Sequence, residues 1–394
     1  MKKQTQAIHL EYERRDAYDS LSVPVYNTLA YEFDNAAIMA EAFTDKIKAP
    51  DYSRVENPTV TNLERRVAAL TDAAHATAFN SGMAAISNTL MALAAQGKNI
   101  VTSKHLFGNT YALLVATLRR FGVKVRLRDL TNIEAMREAI DDDTCCVFLE
   151  ILTNPQLEVA DLKAISEVAH EKNVPLVVDS TVIPFTQFSA KSLGVDIEVV
   201  SSSKYVSGGA TSLGGLVIDY GTPYNGDFAK RLYGEMLFNF GAYMTPQVAY
   251  MQTIGLETLD ARYRVQSGNA LELAKKLRSL PQIKYVNYVG LEDNPYHELA
   301  QRQFGKTAGA MICIDLESKE ACFSFLNNLK LIHRATNLFD NRSLAIHPAS
   351  TIFGAFSESM RKSMDVKDTT IRLSVGLEDV DDLFEDIKQA VNSL

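Results

Sequence analysis

The chain has 394 residues, of which 46% are hydrophobic and 22% charged, and its formal net charge is -8. These values are ordinary for a globular protein, and the length suggests two or three domains. The negative charge argues against nucleic acid or an anionic membrane as the main partner. The sequence contains no run of about 18 apolar residues and no signal-like segment after Met1, so we predict a cytoplasmic protein without a membrane span.

The four cysteines do not indicate a metal site. Cys145 and Cys146 lie together in a strand-like run, Cys313 and Cys322 are distant from them, and none has the spacing of metal ligands. The His-Glu-x-x-His motif of metal enzymes is missing from the sequence as well. We therefore expect buried free thiols in a reducing compartment, and no bound metal.

Three regions follow one another along the chain. Residues 1–56 look like an extended N-terminal arm, although a helix-compatible stretch runs through Met39. In residues 57–255, short apolar runs alternate with amphipathic helical patterns, which is typical of a mostly parallel sheet with helices on both faces. Residues 256–394 form a smaller α/β unit, in which residues 371–375 alternate like a strand.

The second region contains several predicted strands whose ends are followed by polar residues. These predicted strands are residues 76–79, 145–149, 175–178 and 196–200. Ligands in sheets of this kind bind beyond the carboxyl ends of the strands. The polar residues at those ends are therefore the candidates for a functional site.

The first strand end is followed by Ser81, Gly82 and Met83, where the chain turns from strand to helix. Free backbone amides at a helix N-terminus can bind an anion, and a glycine lets the backbone approach a phosphate. The same residues could simply form a tight helix cap. Both interpretations remain open for this segment alone.

Two later strand ends carry Asp179 and Lys204. Lys204 follows three serines at 201–203 and precedes a glycine-rich segment at 208–215. Alone, Lys204 could be a solvated surface lysine and Asp179 the cap of a turn. Together they match the needs of a pyridoxal 5'-phosphate (PLP) site, where an amine forms a Schiff base, a carboxylate keeps the pyridine nitrogen protonated and hydroxyls bind the phosphate.

Two further polar residues suit a ligand, but simpler roles stay open. Asn154 could hydrogen-bond a ring hydroxyl, or it could only initiate the turn before a proline. Arg372 could clamp a carboxylate or form a surface ion pair. The sequence does not contain the common nucleotide-binding motifs. No Gly-x-Gly-x-x-Gly precedes a predicted helix, and the glycine-rich segment lacks the lysine of a P-loop.

Taken together, these segments resemble the Cys/Met-metabolism family of PLP-dependent enzymes, which includes cystathionine synthases and lyases, methionine γ-lyases and O-acetylhomoserine sulfhydrylases. The resemblance runs over nearly the whole chain. The matching segments are Tyr52-Ser53-Arg54, Asn57-Pro58-Thr59, Ser81-Gly82-Met83, residues 106–111, Thr153-Asn154-Pro155, Asp179-Ser180-Thr181, residues 201–205, residues 347–350 and residues 372–376. This resemblance implies the α/β fold of the aspartate-aminotransferase type, known as PLP fold type I.

The resemblance also implies roles for single residues in the cofactor site. Lys204 would be the Schiff-base lysine, Asp179 the partner of the pyridine nitrogen, and Phe107 the aromatic residue that stacks on the ring. The other residues implied to hold PLP within the chain are Thr181, Ser81, Gly82, Met83, Asn154, Ser201 and Ser203. Residues 57–255 would then be the PLP-binding domain and residues 256–394 the C-terminal α/β domain.

Substrate and subunit contacts are implied in the same way. Arg372, assisted by Asn337, would bind the substrate carboxylate. Tyr52 and Arg54 would reach the PLP phosphate of a neighbouring subunit, with Tyr52 also near the substrate. The N-terminal arm (residues 1–56) would thus complete the neighbour's site, in a homodimer or homotetramer.

Departures from the family's pattern favour one of its activities. Phe107 stands where many members have a tyrosine, so ring stacking is kept while the hydroxyl is lost. Asn109 replaces the cysteine of methionine γ-lyases, and Arg342 aligns with the glutamate of cystathionine enzymes. Phe353 is a departure of another kind, since many relatives have histidine there; it counts against the choice of subgroup and leaves the choice of cofactor unchanged.

The glycine-rich segment and residues 343–351 look most like the sulfhydrylase branch. We therefore expect condensation of O-acetyl-L-homoserine with sulfide or a small thiol, giving homocysteine or methionine plus acetate. Acetate leaves as a stable anion and needs little acid assistance, which fits the missing hydroxyl at Phe107. The rival activities are those of a methionine or cystathionine γ-lyase and a cystathionine γ-synthase. Outside catalysis, the alternatives are a PLP-binding protein without turnover and a structural α/β module.

Overall fold

A computed structural model describes residues 1–10, 16–44, 46–129, 131–306 and 308–394. The predicted N-terminal arm includes residues 11–15 and 45, which lie outside the described residues. Its first helix, α1 (Lys3–His9), packs on the domain that follows, and the Lys3 amine donates to the carbonyl oxygens of Phe185 (3.2 Å) and Phe188 (2.8 Å). The beginning of the arm is therefore held by its own subunit.

The larger sheet lies within residues 57–255. Its strands are β1 (His75–Phe79), β2 (Asn99–Ser103), β3 (Lys124–Arg128), β4 (Thr144–Glu150), β5 (Leu176–Asp179), β6 (Ile197–Val200) and β7 (Gly215–Asp219). Their order across the sheet is β1-β7-β6-β5-β4-β2-β3. Only β7 runs antiparallel to its neighbours, which confirms the predicted mostly parallel sheet.

Helices cover both faces of this sheet. In the arm and the large domain they are α2 (Ala36–Ala42), α3 (Pro58–Thr71), α4 (Gly82–Leu93), α5 (Gly108–Ala112), α6 (Ile133–Ala139), α7 (Leu162–His170), α8 (Phe228–Arg231), α9 (Phe238–Phe240) and α10 (Pro246–Glu257). Alternate residues of β4 point into two separate apolar clusters: Val147 and Leu149 enter one, and Cys146 and Phe148 the other. A strand that is apolar on both sides needs helices on both sides. Within the described ranges, no helix has both the length and the apolar character needed to cross a membrane.

The C-terminal region forms a second sheet in the order β10-β11-β12-β9-β8. Its elements are α11 (Leu259–Leu277), β8 (Tyr285–Asn287), α12 (His297–Phe304), β9 (Met311–Asp315), α13 (Lys319–Asn328), β10 (His333–Arg334), β11 (Leu344–Ile346), α14 (Glu358–Ser363), β12 (Thr370–Ser374) and α15 (Val380–Val391). The strand predicted at 371–375 is β12, and all its residues are buried. Its polar face, which includes Arg372, therefore does not face solvent.

Candidate active site

A cavity of about 780 Å³ lies at the carboxyl ends of β4, β5 and β6, and residues of the C-terminal region close its other side. Twelve residues that the sequence predicts for the site line this cavity. They are Ser81, Gly82, Met83, Phe107, Asn154, Asp179, Thr181, Ser201, Ser203, Lys204, Asn337 and Arg372. Residues that are almost 300 positions apart in the sequence thus line the same cavity.

Lys204 follows the end of β6, with its amine inside the cavity. Its Nζ donates a hydrogen bond to Oδ1 of Asn337 at 2.8 Å. Burial and, to a smaller extent, the positive charge of Arg372 lower the pKa of Lys204 to about 8, against the opposing effect of Asp179. A larger fraction of this amine is therefore neutral near physiological pH than for a surface lysine, which favours reaction with a carbonyl group.

Asp179 ends β5 and faces the same space. Its Oδ1 accepts the backbone N–H of Thr181 at 2.9 Å, and Oγ1 of Thr181 accepts the N–H of Ser201 at 2.8 Å. Thr181 therefore holds the end of β5 against the serine segment that leads to Lys204. Burial raises the pKa of Asp179, whereas its hydrogen bonds from Thr181 and the nearby Lys204 favour the carboxylate.

The N-terminus of α4 combines the two roles that its sequence allowed. Ser81 caps the helix, because its Oγ accepts the N–H of Ala84 at 3.1 Å. The amides of Gly82 and Met83 have no hydrogen-bond acceptor within the described ranges and lie at the cavity. At Gly82 a Cβ would lie 2.6 Å from Cβ of Ser201, so only glycine allows this approach. Two adjacent donors are thus available to an anion.

The two predicted serine ligands differ in their surroundings. Oγ of Ser203 accepts the N–H of Gly214 at 2.9 Å and donates to the carbonyl oxygen of Gly214 at 3.1 Å. A hydroxyl has one proton, so Ser203 could donate to a phosphate only by giving up that carbonyl. Ser201 has no such bond from its Oγ in the described part of the chain and lies directly against Gly82. Ser201 is therefore the better placed of the two for an anion.

Arg372 projects from β12 into the cavity and is 2% exposed, so the surface ion-pair interpretation is wrong. Its guanidinium donates to Oδ1 of Asn154 at 3.1 Å and to the carbonyl oxygen of Asn337 at 3.3 Å. Among the described residues no carboxylate pairs with it, and burial lowers the pKa of Arg372 to about 10. A buried cation with only neutral partners is suited to an anionic ligand. Asn154 keeps its amide N–H groups for another acceptor.

Glu150 lies in the site although the sequence did not single it out. This last residue of β4 is 4% exposed and lines the cavity beside Asp179, its register partner on β5. Its carboxylate accepts the N–H of Phe107 at 2.5 Å and the N–H of Asn154 at 3.3 Å. Burial and then the charge of Asp179 raise the pKa of Glu150 to about 8, against the effect of these two hydrogen bonds. The sequence feature that could have identified Glu150 is its position at the end of a predicted strand, the same position that Asp179 has on its own strand.

Tyr52 and Arg54 are the predicted residues that do not line the cavity. The Arg54 guanidinium lies 5.5 Å from the ring centroid of Tyr52 and also donates to the carbonyl oxygen of Phe238. The side chain of Tyr52 is 40% exposed. Within one subunit, these two residues are therefore separate from the other twelve.

The residues of the cavity fit PLP. The free amides of α4 and the Ser201 hydroxyl can donate hydrogen bonds to a phosphate. Asp179 can pair with a protonated pyridine nitrogen, and the amine of Lys204 can bond to the aldehyde carbon. Phe107 supplies an aromatic surface at the same space. With the doubly covered parallel sheet, this set of groups defines the protein as a PLP-dependent enzyme of fold type I.

Comparison with known proteins gives the family. The model for "Cys/Met metabolism PLP-dependent enzyme" matches residues 4–392. The chain belongs to this family, and its cofactor is PLP.

Similar proteins in the family have different activities. An L-methionine gamma-lyase of Fusobacterium nucleatum subsp. polymorphum is 37% identical, over 99% of this chain and 98% of its own length. An O-acetyl-L-homoserine sulfhydrylase of Corynebacterium glutamicum is 32% identical, over 98% of this chain and 95% of its own length. The crystal structure of a provisionally assigned O-acetylhomoserine (thiol)-lyase from Campylobacter jejuni covers 100% of both chains, with 34% identity and a TM-score of 0.95, and carries a pyridoxyl-lysine-phosphate.

Proposed function

We propose that the protein catalyses γ-replacement on O-acetyl-L-homoserine. The C–O bond at Cγ breaks and acetate leaves, and a C–S bond forms with sulfide or a small thiol to give homocysteine or methionine. PLP, when bound, withdraws electrons from the substrate carbons and makes their protons removable. The roles of the protein follow from its own residues.

In this proposal, each group acts at the place where the cavity holds it. Asp179 keeps the pyridine nitrogen protonated, and Thr181 orients Asp179. The amine of Lys204, freed from the cofactor, takes the proton from Cα of the substrate. Arg372 binds the α-carboxylate and Asn337 supports it. The phosphate is held by Ser81, Gly82, Met83 and Ser201, and by Ser203 once its hydroxyl gives up the carbonyl of Gly214. Asn154 holds the ring hydroxyl.

The observation that carries the choice of reaction is the cavity wall at Phe107. This ring lines the cavity and has no hydroxyl to protonate a leaving group. An alkyl thiolate is a poor leaving group that benefits from an acid, whereas acetate is stable without one. Phe107 therefore supports an ester substrate over a thioether such as methionine.

The charges around the cavity support a small acyl group. Among the described lining residues, the charged side chains are Glu150, Asp179, Lys204 and Arg372, all of which have a role or a partner already. Arg342 does not line the cavity and pairs with Asp340 at 3.0 Å. A succinyl carboxylate, or the distal amino acid of cystathionine, would find no free opposite charge in this subunit. An acetyl group needs none.

The main rival is γ-elimination, which the 37% identity to a methionine gamma-lyase favours. Purified holoenzyme incubated with O-acetylhomoserine and sulfide should form homocysteine and acetate in equal amounts. With methionine alone, oxobutyrate should form at least about 100-fold more slowly, because the thiolate is a poor leaving group and would have to leave without an acid to protonate it. O-Succinylhomoserine with sulfide serves as the matched control for the acyl group. Rapid oxobutyrate formation from methionine, with no homocysteine from either ester, would contradict the proposal.

We also propose that the N-terminal arm completes the site of a second subunit. Tyr52 and Arg54 do not line the cavity of their own subunit, which supports a role at the PLP phosphate of a neighbour. The arm exposes large apolar side chains that a monomer would leave in water. They include Tyr18 (91% exposed), Leu29 (63%) and Phe43 (57%). A second copy of the chain would cover this surface and place Arg54 near its cofactor.

A subunit-mixing experiment tests this arrangement. Lys204→Ala and Arg54→Ala subunits, carrying different tags, are co-expressed and compared with each variant alone. If Arg54 acts across the interface, each mixed dimer contains one intact site. Random assembly then restores about one quarter of wild-type activity, since half of the dimers are mixed. If Arg54 acts within its own subunit, mixing restores nothing, and the proposed exchange is wrong.

A further inference from the structure

Glu150 connects two segments of the active site that are distant in sequence. One carboxylate oxygen accepts the N–H of Phe107, just before α5, and the other accepts the N–H of Asn154, beyond β4. Phe107 presents its ring to the cavity, and Asn154 holds the guanidinium of Arg372. The side chain of Glu150 is thus the common support of both.

We propose that Glu150 is a positioning residue, which fixes the ring of Phe107 against PLP and the Asn154–Arg372 pair against the substrate carboxylate. This inference rests on the roles proposed above for Phe107 and Arg372. It assigns no proton transfer to Glu150.

The chemistry of the two bonds requires a carboxylate of this length. Both partners are N–H donors, so the bridging group must offer an acceptor at each end. A glutamine offers one oxygen and one NH₂ group, which would face one of the N–H groups as a second donor. An aspartate keeps both oxygens but is one methylene shorter, so its carboxylate is drawn back from the two N–H groups and loses at least one of them. Only glutamate satisfies both N–H groups at this position.

The surroundings make this carboxylate costly to keep. Glu150 is buried beside Asp179, and its burial and the negative charge of Asp179 raise its pKa to about 8. Thr181 and Lys204 stabilise Asp179, whereas Glu150 has no cation of its own among the described residues. The two backbone N–H groups favour the carboxylate and act against this rise without cancelling it. The variants below are therefore compared at about pH 9, above this pKa, where the carboxylate predominates.

The test compares Glu150→Gln and Glu150→Asp with Asp386→Asn. Asp386 is a matched control, since this buried carboxylate also accepts backbone N–H groups, those of residues 330–332, but lies outside the cavity. The readouts are the Kd of PLP for the apoprotein, the visible circular dichroism of bound PLP, KM against kcat, and Tm. For both Glu150 variants we expect the PLP Kd and the KM to rise about tenfold, with a weakened dichroism band.

The control separates positioning from stability. Asp386→Asn should lower Tm at least as much as the Glu150 variants while leaving PLP Kd, dichroism and KM at wild-type values. If Glu150→Gln or Glu150→Asp lowers only Tm, or if Glu150→Asp behaves like the wild type, the proposal is overturned. If Asp386→Asn shifts the same three readouts, they follow general stability and the proposal is likewise overturned. PLP affinity and dichroism need no substrate, so this result stands whichever amino acid the enzyme converts.

Discussion

Replacing Lys204 by alanine should abolish the covalent attachment of PLP and reduce turnover at least about 10³-fold. The lysine is the one described amine that lines the cavity, and its lowered pKa leaves it reactive near neutral pH. Alanine removes both the attachment point and the proposed acceptor of the Cα proton, and a positioned acid–base group alone contributes about 10²–10⁴-fold. PLP should still bind, more weakly, through its phosphate and ring.

Borohydride reduction followed by peptide mass spectrometry measures this outcome. In the wild type, the pyridoxyl group should be fixed to the peptide that contains Lys204, and in Lys204→Ala no lysine should be labelled stoichiometrically. Lys191→Ala is the control, since this lysine is exposed and paired with Asp72. Its variant should keep labelling and activity. Stoichiometric labelling of Lys204→Ala at another lysine, with activity retained, would show that the attachment point is elsewhere.

The sheet and the position of its site were predictable because the local patterns are strong. The strands β4, β5 and β6 are short apolar runs that end in polar residues, and parallel strands bring such ends to one edge. Asp179 and Lys204 were therefore expected to be neighbours before any contact was known. The helix cap at Ser81 could likewise be predicted from the residues around it, because a cap depends only on local chain geometry.

The remaining features depend on contacts between distant parts of the chain. Arg372 and Asn154 are 218 positions apart, and no local pattern shows that the guanidinium is buried without a carboxylate. Ser203 looks like a free hydroxyl in sequence, but the returning chain at Gly214 engages it. Glu150 was missed for the same reason, since its two N–H partners come from separate loops. Side-chain partners of this kind are set by tertiary packing.

Replacing Arg372 by lysine should raise the KM for the amino-acid substrate about 100-fold and change kcat less. The guanidinium is held between Asn154 and Asn337, with no anionic partner in the described chain, so a substrate carboxylate can bind it through two parallel hydrogen bonds. Lysine keeps the charge but not the planar fork, and its shorter reach loses at least one of those bonds. The lost charge-assisted bond, about 1.5–3 kcal/mol, corresponds to roughly 10–150-fold in affinity.

Steady-state kinetics of Arg372→Lys and Arg262→Lys give the decisive comparison. Arg262 is also buried and bonds to a backbone carbonyl, that of Gly255 at 2.6 Å, but it does not line the cavity. Arg262→Lys should therefore reduce stability without raising KM, and both variants should bind PLP like the wild type, since Arg372 is proposed to contact substrate and not cofactor. An unchanged KM in Arg372→Lys would mean that the substrate carboxylate binds elsewhere. A loss of PLP affinity in that variant would instead assign Arg372 to the cofactor. Because the burial of a guanidinium without an anionic partner is costly, the geometry favours an anionic ligand at this position.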